Sequence, residues 1–322
     1  MRTGLNLIPE CPIAEMVEFA AAAETMGFER CWVYDEGLAA RDVYLTLAAI
    51  AAGTKRMQLG PGITNPYTRH PAQTASATAS LDELSGRRAF LGVGAGGSLT
   101  LDPMGLTRVR PLAAVRETIE ACRALLDGGR VDLDGEVVQL RSAHLGYGRP
   151  STEIWLAGRG PKMLQLGGAI ADGVMLDFIY QPSLADSVSL VESGAAGAGR
   201  RALLCYSTAL VMDDHDLEVV RPHLTYRLVD ARPSVHEALG MTEADVERIR
   251  TALAGGLVEA ATHVRDEWVL PFVISGSERE CAVALGDLVD RHGFSEFVLP
   301  MFSRDDPVAY MQRSASVLRR AH

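Results

Sequence analysis

The chain has 322 residues, 48% of them apolar and 22% charged, the balance of a folded globular protein rather than a disordered one. Its formal net charge of −10 argues against a general nucleic-acid binder, because phosphate contacts need clustered Lys and Arg. No apolar run approaches the roughly 20 residues needed to span a bilayer, and the first residues lack the apolar block of a signal peptide, so a cytoplasmic protein with no membrane partner is expected.

Taken in order, short apolar runs alternate with longer helical ones. Residues 1–8 read as a strand and 13–26 as an Ala-rich helix stopped by Gly27. A second strand (30–35, RCWVYD) and helix (43–52) follow, then a strand at 58–63 and a helix at 72–84 ended by Ser85-Gly86. Residues 89–93 (AFLGV) form a fourth strand and 112–126 a fourth helix. The stretch 130–150 breaks the rhythm, with Asp134-Gly135 between VDL and EVVQL signalling a hairpin. Alternation resumes with a strand at 154–157, a helix at 162–171, a strand at 174–177 and a helix at 183–196. A long apolar strand is expected at 202–212 and a last one at 298–301, with a final helix from Pro307. Between these last two strands lies a polar, helix-rich excursion, 214–292, in which PFVISG reads as a loop or minor strand.

Eight β-then-α units predict a parallel sheet, and at this length a single (β/α)8 barrel over residues 1–322 with insertions near 130–150 and 214–292. A doubly wound sheet would bring a glycine fingerprint after the first strand, and PECPIAEM has none. The five cysteines, Cys11, Cys31, Cys122, Cys205 and Cys281, form no C-x-x-C pair, so buried thiols are expected, with neither a zinc site nor disulfides. No G-x-S-x-G, H-E-x-x-H or Walker loop is present, which removes support for hydrolytic-nucleophile and zinc chemistry.

Barrel active sites lie where strands end and βα loops begin, which selects the candidate residues. After strand two stand Asp35 and Glu36, adjacent carboxylates suited to acid, base or orienting roles, although an Asp here also fits a cap or a salt bridge near a helix start. After strand three comes GPGITNPYTRHP, whose Gly60 and Gly62 around Pro61 allow close approach to a planar ligand, with Asn65, Tyr67, Thr68, Arg69 and His70 packed into one short loop; His70 also fits a local bond at the next helix start. Strand four ends in Gly94, Ala95 and Gly96. Strand five ends in Gly158, Arg159 and Gly160 before Pro161 and Lys162, a strand running into a helix start whose free N–H groups and dipole suit an anion.

The run of residues 60–96, together with WVYDEGLAARDVYLTLAAIA, AGRGPKMLQLGGAIADGVML, PFVISGSERE and FSEFVLP, resembles the luciferase-like flavin and deazaflavin oxidoreductases. It is most similar to methylenetetrahydromethanopterin reductase-like enzymes, in order over nearly the whole chain. The resemblance implies a bacterial-luciferase-like TIM barrel, usually a homodimer. It implies a hydride-transferring oxidoreductase using coenzyme F420, with FMN-dependent monooxygenation as the alternative cofactor chemistry and a non-catalytic ligand-binding barrel as the alternative class. A small-molecule or modified-peptide substrate with an activated C=N, C=C or C=O bond is expected. The cofactor ring is expected against a strand-three bulge at Gly62-Ile63, where a non-prolyl cis peptide is predicted, beside Asp35, Thr64, Asn65, Gly94, Ala95 and Gly96. Its phosphate is expected at Gly158, Gly160, Pro161 and Lys162. Similar enzymes often carry Asp-His after strand two, an acid on strand one and an acid after the strand-four glycines; here those positions hold Asp35-Glu36, Asn6 and Gly97. Glu36 is therefore expected to donate the proton and Asp35 to orient the cofactor. The 130–150 insert and residues 214–263 are expected to shape the substrate pocket.

Overall fold

In the computed structural model, which describes residues 1–321, eight strands form one all-parallel sheet. They are β1 (Arg2–Leu7), β2 (Arg30–Val33), β3 (Gln58–Pro61), β4 (Leu91–Val93), β5 (Ile154–Ala157), β6 (Gly173–Asp177), β7 (Leu203–Ser207) and β8 (Glu296–Met301). The spatial order is β3-β2-β1-β8-β7-β6-β5-β4. The ring closes through bridges from Leu59 to Ala89 and from Thr64 to Val93. Helices α1 (Ile13–Met26), α2 (Val43–Gly53), α3 (Pro71–Leu84), α4 (Pro111–Leu126), α5 (Pro161–Ile170), α6 (Leu184–Gly197), α7 (Glu278–His292) and α8 (Pro307–Arg320) accompany the strands. This is the expected (β/α)8 barrel. Its helix boundaries follow the local signals: Gly27 ends α1 with φ +98°, and Ser277 with Glu280 forms a capping box at α7.

The barrel floor is filled by large side chains. Trp32 packs against Phe90 and Trp155, with ring centroids 4.3 and 5.7 Å apart. Beside them the fully buried Arg30 lies 3.2 Å from the Glu296 carboxylate, which also accepts from Trp32 Nε1 at 2.9 Å. Arg30 pairs as well with Glu153. A buried guanidinium is tolerated there because both its charge and its flat faces, against Phe90 and Trp155, find partners.

Two expectations are corrected. Residues 202–212 are not one strand. The chain leaves the barrel after Ser207, where Thr208 Oγ1 donates to Phe272 O and Tyr310 Oη ties both backbone groups of Leu210. Leu210–Val211 then pairs in parallel with Ile274–Ser275, so PFVISG supplies a minor strand. The 130–150 insert forms the predicted hairpin, Arg130–Asp134 against Gln139–His144, but borders no part of the cavity at the barrel mouth. It is held on α4 instead: the buried Glu117 carboxylate accepts from the N–H groups of Glu136, Val137 and Val138 at 2.9–3.0 Å.

The excursion does reach the mouth. Its long helix, Asp214–Val229, covers a separate apolar cluster that includes Phe178, Leu224, Trp268 and Phe302. The buried pair Arg304–Asp216, at 2.8 Å, fastens that helix to the loop after β8. No helix among the described residues is long and apolar enough to cross a membrane. Four of the five cysteines are buried and Cys11 is partly so, all five as free thiols.

Candidate active site

At the C-terminal end of the barrel lies a cavity of about 550 Å³, a volume typical of small-molecule sites. The strand-end rule thus locates it, because only there do the βα loops converge. Of the sequence candidates, Asp35, Glu36, Gly62, Ile63, Thr64, Asn65, Ala95, Gly96, Gly158 and Gly160 border this one space. Gly94, Pro161 and Lys162 do not border it.

The β3 end is shaped by close packing. The Gly62-Ile63 peptide is cis, as predicted. A Cβ on Gly62 would stand 2.5 Å from Trp32 Cβ and 2.7 Å from Asn6 Oδ1, so only glycine fits above the floor here. A Cβ on Gly94 would collide with Ile63 Cδ1, which explains how a residue outside the cavity still sets the position of a lining side chain. Gly96 adopts φ +71°, a left-handed turn that carries the β4 loop around the rim. Asn65 Oδ1 accepts from the N–H groups of Tyr67 and Thr68 and so holds the NPYT turn in place.

The two carboxylates are fixed differently. Thr64 Oγ1 donates to Asp35 Oδ2 at 2.7 Å, linking the β2 and β3 loops. Thr100 Oγ1 donates to Glu36 Oε2 at 2.9 Å, linking β2 to the β4 loop. Burial pushes both carboxyl groups above their ordinary values; the bond from Thr64 and the charge of Arg69 oppose this at Asp35, and the bond from Thr100 and the charge of Arg227 oppose it at Glu36, where the charge of Asp35 adds a smaller upward push. Neither side chain caps α2. That role falls to Asp42, which accepts from Tyr44 N and Leu45 N and pairs with Arg69 at 3.0 Å. His70 caps α3 through Nδ1, the local role also open to it from the sequence.

Sequence reasoning missed the opposite wall. Asp177, at the end of β6, pairs with Arg227 of the excursion at 2.6 Å and accepts from Ser207 Oγ at 2.9 Å. The Arg227 guanidinium lies over the rings of Phe178 and Tyr226. One turn earlier, His223 stacks on Phe302. Arg227 is almost fully buried, and the one signal for it in the sequence was its i, i+4 spacing from His223 on one helix. At the β5 end, α5 starts with Gly160 as N-cap and Pro161 as first residue, and the N–H of Lys162 donates to no backbone acceptor. Among the described residues no cluster of His, Cys, Asp or Glu could hold a metal ion. The site therefore offers a flat, glycine-lined face, two carboxylates of raised pKa, an aromatic wall and a helix N-terminus.

The chain is similar to known proteins along most of its length. It is 32% identical over 299 residues to the 5,10-methylenetetrahydromethanopterin reductase of Archaeoglobus fulgidus, covering 89% of this chain and 90% of that protein. Identity to the enzyme of the same name from Methanolobus tindarius is 33% over 300 residues, covering 90% and 91%. The solved coenzyme F420 dependent tetrahydromethanopterin reductase of Methanopyrus kandleri superposes with a TM-score of 0.87 at 27% identity, covering 98% of this chain and 97% of that one. With the luciferase-like monooxygenase family model matching residues 2–296, the chain belongs to that family.

Proposed function

We propose that this protein is an F420-dependent oxidoreductase that moves a hydride between the deazaflavin and an organic substrate with an activated C=N, C=C or C=O bond. The near-full-length likeness to a coenzyme F420 dependent reductase carries this reading. The site fits such a group on its own evidence: its cavity of about 550 Å³ is bordered by Gly62, Ala95, Gly96, Gly158 and Gly160, small residues that leave room for a flat ring. Bound there, the deazaflavin supplies the hydride or takes it up.

The chain's own residues do the rest. Ile63, Thr64, Asn65, Ala95 and Gly96 form the surface on which a flat ring rests, with Ile63 held out by Gly94. The turn Gly158 to Lys162, entering α5 through Gly160 and Pro161, binds the phosphate with free N–H groups and the positive end of the helix dipole. Asp35, anchored by Thr64, orients the cofactor. Glu36 holds the proton: burial lifts its carboxyl, so more of it stays protonated near neutrality and can protonate the atom left electron-rich after hydride addition. The substrate is a small molecule or a modified peptide, admitted between the excursion helix and the β4 loop. The protein works in the cytoplasm as a homodimer.

Equilibrium titration with oxidised and reduced F420 and with FMN tests the reading. Binding of F420 and its turnover are expected. Stoichiometric FMN binding with oxygen consumption and no affinity for F420 makes the protein a monooxygenase instead, and F420 binding without turnover on any substrate makes it a binding barrel.

A further inference from the structure

His223 lies on the excursion helix, one turn before Arg227, and borders the cavity together with Phe302. Its place is fixed twice over. Phe302 carries the imidazole on one face, with 3.7 Å between centroids, and itself stacks on Phe178 at 6.0 Å. Arg227 Nη1 donates to the His223 backbone carbonyl at 2.6 Å while Nη2 holds Asp177. The polar edge of this clamped ring is unused. Neither ring nitrogen has a hydrogen-bond partner among the described residues, and neither is among the side-chain atoms buried without one. The edge therefore opens onto accessible space, and the space that His223 borders is the cavity. The charged groups beside it are already engaged, Asp177 by Arg227 and by Ser207.

What the edge can do follows from its charge. Burial, and then the charge of Arg227, push the imidazole down to about 3, so at neutral pH it is uncharged, with one N–H and one bare nitrogen. The charge of Arg227 acts on Glu36 as well, so both groups stand within its reach. Hydride addition to C=O or C=N moves the π electron pair onto the oxygen or nitrogen. A donor already held beside that atom stabilises the growing charge without having to reorient. We propose that His223 donates a hydrogen bond from its ring N–H to the heteroatom of the substrate's C=O or C=N group, an assignment that rests on the hydride transfer proposed above. The hydride adds at carbon, Glu36 gives the proton to the heteroatom, and the imidazole keeps its own. An isolated C=C bond has no acceptor atom and misses this contact, so the site favours carbonyl and imine substrates.

The test uses the full chain with F420 bound and its histidines isotope-labelled, beside His223→Phe, which keeps a flat ring on Phe302 and removes the N–H. The probes are cyclohexanone, a bare C=O, and methylenecyclohexane, the same shape without the heteroatom, both titrated by NMR. In the wild type cyclohexanone is expected to move the N–H-bearing nitrogen of His223, and the alkene is not. His223→Phe should weaken cyclohexanone by about two- to tenfold, the range of one net hydrogen bond, and leave the alkene unchanged. If that variant melts early, the wild-type nitrogen shift decides by itself. Failure of the wild type to bind F420 overturns the proposed cofactor; the ketone titration on the chain alone then still decides this inference. Cyclohexanone that does not bind, that leaves the His223 nitrogen unmoved, or that binds the wild type and a folded His223→Phe alike overturns it.

Discussion

The imidazole of His223 lies flat on the ring of Phe302, with centroids 3.7 Å apart and planes inclined by 7°. This stack joins the excursion helix to the loop after β8, and both residues border the cavity. Burial, and then the charge of Arg227, push the imidazole down to about 3. A depressed histidine means that the folded state binds fewer protons than the unfolded chain, so this residue costs stability as pH falls below its ordinary value of 6.5. The expected outcome is an imidazole that stays neutral from pH 8 to pH 5 by NMR, lost as a probe only if its shift moves with a midpoint near 6.5. His223 is then no proton donor at neutral pH.

In the proposed mechanism that role falls to Glu36. Glu36→Gln preserves the shape and the bond from Thr100 but removes the acid. F420 affinity should change little, and turnover should fall by roughly 10²–10⁴-fold, the loss typical of a general acid. Steady-state kinetics beside a binding titration checks both halves; normal turnover would mean that water or the substrate itself supplies the proton.

Gly160 separates fold from ligand binding. A Cβ there meets nothing within 4 Å, and its backbone is extended at φ −78°, so Gly160→Leu should melt close to wild type. If the phosphate sits at this helix start, the same variant weakens F420 binding while leaving a deazaflavin without phosphate unaffected. Equal affinities for both ligands would place the phosphate elsewhere.

Gly94→Val acts from outside the cavity. Its new Cβ displaces Ile63, whose side chain lines the cavity. Overpacking of this kind costs about 1–3 kcal/mol. A lower melting temperature together with weaker F420 binding is expected, and a drop in one without the other would break the link between Gly94 and Ile63.

The hairpin carries an acid-sensitive clasp. Burial pulls the Glu117 carboxyl upward, but the three N–H bonds from Glu136, Val137 and Val138 outweigh it and hold the group below its ordinary value. A depressed carboxyl contributes stability above its unfolded value of 4.5 that is lost as pH falls through the folded one. Glu117→Gln should destabilise by about 1.5–3 kcal/mol at pH 7, the range for hydrogen bonds to a charged group. Denaturant melts at pH 7 and pH 3.5 should show the difference shrinking at the lower pH.

The barrel is written in local signals. The apolar runs, the glycines and prolines between them and the Asp134-Gly135 turn are local signals, set by backbone geometry and side-chain periodicity, and each survives folding nearly in place. Because barrel sites lie at strand ends, the same signals also gathered Asp35, Glu36, Gly62, Thr64 and Gly96 as candidates, and the structure brings them to one cavity. The other wall exists only in the folded chain. Asp177 and Arg227 are 50 residues apart and His223 and Phe302 further still, so no local pattern records that they meet. It also decided that 202–212 breaks at Thr208, through a bond to Phe272, and that the hairpin lies on α4 away from the mouth, through Glu117. Such contacts depend on where the closed sheet places distant segments, and a closed sheet exists only once all eight strands have paired.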